Sequence, residues 1–180
     1  MPRLQTVRRL CAAVPLVAMA SGLLGCSNEP VWGHAAPSGT RPVATAPAHG
    51  FGRAIAWQPL NEGLALARRE ARPVMLLVHA SWCSSCKALR PAFDVPELAD
   101  LSERFVMVNV DQDEEPRVRE FAIDGTYIPR VLFLDPASGT VIPELKNPER
   151  TRSLYYYGSS DDLIAVMKKA LARYGSSQPS

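Results

Sequence analysis

The sequence predicts an α/β fold, a central mixed sheet flanked by helices. The continuous apolar run Val74–Val78 has the pattern of a strand buried on both faces, and Phe105–Val110, apolar but for Asn109, reads as another buried strand. Segments with helical spacing alternate with them. A third apolar run, Val131–Leu134, leads through Asp135-Pro136 and Ser138-Gly139 to Thr140–Ile142, the pattern of a hairpin. Strands that alternate with helices and close on a hairpin describe a mixed sheet covered by helices.

In chain order, Ile55–Trp57 reads as a short first strand. Leu60 to Ala71 reads as a helix, with Leu60, Leu64 and Ala67 at helical spacing and Pro73 stopping it. After the strand at 74–78, a second helix opens at Cys83 and runs to about Phe93, with Pro91 inside it. Pro116 to Ala122 reads as a short helix. The last helix spans Asp161 to Tyr174, with Leu163, Val166, Met167, Ala170 and Leu171 on one face. Its acids, Asp161 and Asp162, stand at the positive end of the helix dipole, and Lys168, Lys169 and Arg173 toward the negative end. Leu154–Tyr157 reads as a half-buried strand after the irregular stretch 143–153. There are no internal repeats.

The N-terminal quarter has a different character. Residues 1–25 carry Arg3, Arg8 and Arg9, no acid, and an apolar run from Leu10 to Leu24. The run is short for a membrane span, which needs about 20 apolar residues. It fits an export signal, to be excluded from the fold. Leu23-Leu24-Gly25-Cys26 resembles the bacterial lipobox, which implies lipidation at Cys26 and removal of the leader. Ser27 stands where that family's inner-membrane retention signal has Asp, which favours the outer membrane. Arg8-Arg9 lacks the flanking pattern of a twin-arginine signal. Residues 27–50 are rich in Pro, Ala, Gly, Ser and Thr and read as a tether, with His34 and His49 as solvated bystanders. The expected organisation is a signal peptide at 1–25, a lipidated Cys and tether at 26–50, one domain at 51–174 and a tail at 175–180.

Of 180 residues, 47% are hydrophobic and 21% charged, an ordinary globular balance. The net charge of +2 is too small to call for nucleic acid as a partner. Without residues 1–25 the chain has 17 bases against 18 acids, so the basic excess belongs to the leader.

The chemistry lies in His79-Ala80-Ser81-Trp82-Cys83-Ser84-Ser85-Cys86-Lys87. A buried strand ends and a cysteine pair opens the next helix. The spacing lets the two sulfurs reach bonding distance. Unpaired N–H groups and the helix dipole at that end favour a thiolate on Cys83, and thiolate is the nucleophile. Cys86, one turn in, is the resolving thiol of a mixed disulfide. Zinc binding wants four ligands, and with Cys11 removed and Cys26 consumed only His79 is near. A purely structural disulfide across one turn would close almost no loop. Lys87 reads as a solvated helix residue, and Trp82 as a cover packed over the sulfurs. Asp111-Gln112-Asp113-Glu114-Glu115 reads as a solvated acidic turn.

These residues resemble the thioredoxin superfamily. The match to Trp82–Lys87 is joined by Pro91 and by Ile128-Pro129, where the family carries a cis-proline before a strand. The group most similar is that of the small endoplasmic-reticulum thioredoxin-domain proteins and their anterior-gradient relatives. Ser81–Leu89, Phe105–Asn109, Asp113–Pro116 and Tyr127–Pro136 all look like it. The resemblance implies a thioredoxin-like fold and a cis Ile128–Pro129 peptide beside the sulfurs, its backbone pairing with a bound peptide. It also exposes departures. The family's buried acid, six residues before the first cysteine, is replaced by Leu77. His79, on the same strand face, is the candidate base for Cys86; a packed histidine is the alternative. The Ser84-Ser85 dipeptide is not the usual pair and leaves the redox direction open.

The sequence thus leads to a thiol–disulfide oxidoreductase facing the periplasm from the bacterial cell envelope. Its expected partners are protein thiol or disulfide clients, the membrane through the lipid anchor, and a membrane electron donor or acceptor. No cofactor and no metal is expected. A lipid-anchored, chaperone-like adaptor is the alternative from another class, and copper handling through Cys83 and Cys86 a third.

Overall fold

The computed structural model describes residues 43–175. Cys11, Cys26, Ser27 and His34, on which the leader, anchor and part of the tether rest, lie outside them, as do residues 176–180.

The described elements are β1 (Trp57–Gln58), α1 (Leu60–Glu70), β2 (Val74–His79), α2 (Ser84–Leu89), α3 (Pro96–Ser102), β3 (Val106–Asp111), β4 (Arg130–Leu134) and α4 (Leu163–Gly175). The sheet order is β1-β3-β2-β4. β1, β3 and β2 are parallel, and β4 runs antiparallel to β2. This is a thioredoxin-like α/β fold with a mixed four-stranded sheet.

Alternation along the strands divides the core into two faces. Met75, Leu77, Met107, Val131 and Phe133 face one side, packed against Leu89, Phe93, Leu98 and α4's Val166, Met167 and Ala170. Val74, Leu76, Val78, Val106, Val108, Val110, Leu132 and Leu134 face the other, against α1's Leu60, Leu64 and Ala67 and against Val118 and Phe121. Both faces are covered, which is why β2 and β3 are apolar on both sides, with only Asn109 polar inside β3 and His79 and Asp111 at the strand ends.

Local details differ from the sequence reading. The helix from Cys83 to Phe93 is α2 followed by a 3-10 turn at Arg90–Asp94, because Pro91 has no N–H to continue an α-helical ladder. α3 was not read from the sequence; Pro96 at its first turn and Glu97 behind it are its start signals. The segment 116–122 is a 3-10 helix, Pro116–Phe121. Thr140–Ile142 contributes a single bridge, Leu134 to Val141, before Pro143 turns the chain into a short 3-10 segment. The 154–157 stretch likewise makes one bridge, Arg130 to Tyr156, although Tyr155 and Tyr157 are buried.

The packed structure reaches upstream of Phe51. The Thr45 and Ala46 N–H groups donate to the Trp57 carbonyl (2.9 and 3.0 Å). Gln58 Nε2 donates to the Val43 carbonyl (2.7 Å), and Asn109 Nδ2 to the Ala48 carbonyl (2.9 Å). A strand edge and two buried amides thus hold residues 43–48, whose composition alone reads as a solvated tether.

Candidate active site

The sheet register brings three segments to one end. β2 and β3 are aligned with His79 opposite Asp111, and β4 starts opposite Val78 at Arg130. The C-terminal ends of the parallel β2 and β3 therefore meet the N-terminal end of antiparallel β4. The crevice beyond strand ends is where open α/β sheets place their chemistry. Here it receives the Cys83 loop, the Asp111–Asp113 turn and the Ile128–Pro129 segment.

Cys83 is the N-cap of α2, with extended backbone (φ −70°, ψ 115°). Its Sγ accepts the Cys86 N–H at 3.1 Å. The two cysteines form a disulfide, with Cα atoms 5.2 Å apart, inside the ordinary range. Cys83 is 5% exposed and Cys86 1%, so an incoming group meets Cys83 first. Both pack in the cluster that holds Leu77, Leu89 and Phe93.

The acidic turn after β3 is not a solvated one at its start. Asp111 is 5% exposed. Its Oδ2 accepts the Ser81 N–H (2.8 Å) and its Oδ1 the Asp113 N–H (3.0 Å). Asp113 in turn accepts the Trp82 indole N–H (2.7 Å). Two carboxylates therefore clamp the loop just before Cys83. Trp82 is 63% exposed, so it is held at the surface through its indole rather than packed as a cover. Lys87 is exposed on α2.

His79 is fully buried. Its ring packs at 5.1 Å from Phe51 and 4.9 Å from His49, which is half-buried and so not a solvated bystander. Neither ring nitrogen makes a hydrogen bond of good geometry, and Asp111 Oδ2 stands 4.0 Å from Nδ1. Burial, with His49 beside it, pushes the His79 pKa down to about 4 against the raising effects of Asp111 and the Ala80 backbone. A neutral imidazole with so low a pKa is a weak proton acceptor near neutrality. In the folded chain the His79 ring is therefore a neutral, packed group. Leu77, fully buried, offers no acid in its place.

The Ile128–Pro129 peptide is cis. Ile128 is half-buried and touches both apolar clusters; Pro129 is buried. The next residue, Arg130, is 2% exposed.

A family profile described as thioredoxin-like matches residues 56–136. Anterior gradient protein 1 of Xenopus laevis is 37% identical over 131 residues, 67% of each chain. Anterior gradient protein 3 of Mus musculus is 36% identical over 129 residues, 68% of this chain and 74% of the relative. The chain belongs to the thioredoxin-like family that includes the anterior gradient proteins. A solution structure of a thioredoxin from Thermus thermophilus superposes with a TM-score of 0.53 at 24% identity, covering 69% of this chain and 92% of that one, which shows the shared fold.

Within this thioredoxin-like site the structure brings together Cys83, Cys86, Trp82 and His79 on the β2 side, and Ile128 and Pro129 at the start of β4. Sequence reasoning missed the clamp of Asp111 and Asp113. The signal available was an acid at the end of an apolar strand run, a position that buries its side chain.

Proposed function

We propose that this chain is a thiol–disulfide oxidoreductase of exported proteins, working through Cys83 and Cys86. The observation that carries the reading is the closed Cys83–Cys86 pair at the mouth of α2, with Cys83 Sγ already accepting a helix N–H. In the oxidising direction a client thiolate attacks Cys83 Sγ. The Cys83–Cys86 bond breaks, and Cys86 leaves as a thiolate that takes up a proton. A second client thiolate then attacks the client sulfur of the mixed disulfide and releases Cys83 as a thiolate. Two electrons pass from client to pair. The reverse sequence reduces a client disulfide, with Cys86 resolving the mixed disulfide on Cys83. The Cys86 N–H stabilises negative charge on Cys83 Sγ in either direction.

Ile128 and Pro129 are assigned to client backbone pairing, as the family resemblance implies, and Trp82 to the client-facing surface. His79 acts as a packed support under the loop. The Leu23–Cys26 motif supports a lipid anchor on Cys26, and Ser27 an outer-membrane, periplasm-facing location. A membrane electron donor or acceptor would reset the pair.

The test is trapping. Cys86→Ser should accumulate a mixed disulfide with a disulfide-bonded client, Cys83 thiolate displacing the client's second sulfur as a thiol, resolved by gel shift and peptide mapping. Cys83→Ser should accumulate none. Equal trapping by both variants, or by neither, would remove the assignment of nucleophile and resolving thiol.

A further inference from the structure

A polar cavity of about 310 Å³ is lined by Gln112, Asp113, Val118, Arg119, Thr126 and Arg130. It shares Asp113 with the Trp82 clamp, and Arg130 directly follows the cis Ile128–Pro129 peptide. The cavity is therefore linked through Asp113 to the residue that precedes Cys83, and through Arg130 to the cis-proline segment.

Arg130 is the unusual group. A guanidinium has five N–H donors and carries its charge at every physiological pH. Arg130 is 2% exposed, yet Nη1 donates one hydrogen bond, to the Gly125 carbonyl (2.7 Å), and Nε has no partner. Its guanidinium carbon lies 5.8 Å from the Tyr127 ring centre. Among the described residues no carboxylate forms an ion pair with it. A buried charge left without an ion pair is costly and calls for an anion. Burial, the largest influence, pulls its pKa down, while Tyr127 and Asp124 act to raise it. Arg119, exposed on the 3-10 helix, is the second cation of the lining. Asp113 is the one acid, and its Oδ2 is engaged by the Trp82 indole. Within the lining two guanidinium groups stand against one carboxylate, already engaged, with Asp124 acting on Arg130 from outside it. Planar guanidinium groups match a carboxylate in two-point geometry, and Thr126 adds a hydroxyl to the lining.

The geometry points to a specificity pocket in which Arg130 and Arg119 receive the carboxylate of an acidic side chain near the reacting cysteine of a client peptide. This rests on the proposed function and names its substrate class: cysteine peptides with a neighbouring Asp or Glu.

The experiment reduces the Cys83–Cys86 disulfide of the full chain with dithiol peptides. The peptides differ only in Glu, Gln or Lys at each position flanking the first cysteine. Each peptide closes its own disulfide as the pair takes two electrons and two protons, so no further oxidant is needed. At the favoured position the Glu peptide should react about tenfold faster than the Lys peptide, with the gap narrowing in salt. Arg119→Glu, an exposed change, should shrink or reverse the preference, and Arg130→Met in a variant that still melts cooperatively should abolish it. Equal rates for Glu and Lys peptides, or a preference unmoved by Arg119→Glu, would overturn the pocket and leave the oxidoreductase reading standing. Exchange with no peptide at all would overturn the oxidoreductase reading instead. The pocket is then decided by the Trp82 indole N–H resonance, titrated with the same peptides carrying Ser for Cys. A shift with the Glu peptide alone retains the pocket, and no shift removes it.

Discussion

Asp111 ends β3 and holds two N–H groups, one on each side of the crevice, so its loss should be felt twice. Asp111→Ala strands the Ser81 and Asp113 donors and should cost about 1–3 kcal/mol, read from the denaturant midpoint, and should slow thiol exchange at Cys83 by loosening the loop. Unchanged stability and exchange would show that the clamp is idle. His79 has a sign that can be worked out. In the unfolded chain it titrates near 6.5, and in the folded chain near 4. Between those values the unfolded chain holds a proton that the folded chain refuses. Stability is therefore full above about 6.5 and falls as pH drops toward 4, by up to about 3 kcal/mol. Chemical denaturation of wild type and His79→Phe across this window should show that extra loss in the wild type alone. The cysteine motif was legible in the sequence because strand, turn and helix signals adjoin it. The roles of Asp111 and His49 were not, since each depends on a partner far along the chain: Asp111 on the β2–β3 register, His49 on the docking of residues 43–50.

α1 and β3 approach one another at Gly63. A Cβ there would lie 2.5 Å from Val108 Cγ2, in the middle of a covered sheet face. Gly63→Ala should lower stability by about 1–3 kcal/mol through overpacking, partly offset by the gain in helix propensity of about 1 kcal/mol. A stabilised variant, measured by thermal melting, would mean that the helix can shift away without penalty. The strands were legible because two-sided burial writes itself as apolar runs, unbroken over Val74–Val78 and interrupted only by Asn109 in Phe105–Val110. α3 was not, although Pro96, Glu97 and the Leu98/Leu101 spacing are present; seven residues are too few for a helical period to stand out. The hairpin turn was legible from Asp135, whose Oδ1 accepts the Ala137 and Ser138 N–H groups, and from Gly139 at φ 72°. Its returning strand was overread, because Pro143 ends pairing after one bridge.

For the molecule as a whole, the sheet order explains why distant motifs share one site. β2 and β3 run parallel and deliver Cys83 and the Asp111 clamp at one end; β4 enters from that same end and delivers Pro129 and Arg130. Two covered sheet faces supply the rigidity against which the Cys83 loop is held. The central claim is that Cys83 and Cys86 are a working redox couple. Its most direct test is the reduction potential of the chain carrying Cys11→Ser and Cys26→Ser, equilibrated in glutathione buffers with both remaining thiols counted. The account predicts one reversible two-electron transition between about −270 and −120 mV, the span of thioredoxin and DsbA dithiols, with the lower end marking a reductase and the upper an oxidase. A pair that stays closed, or stays open, across that whole range would contradict it.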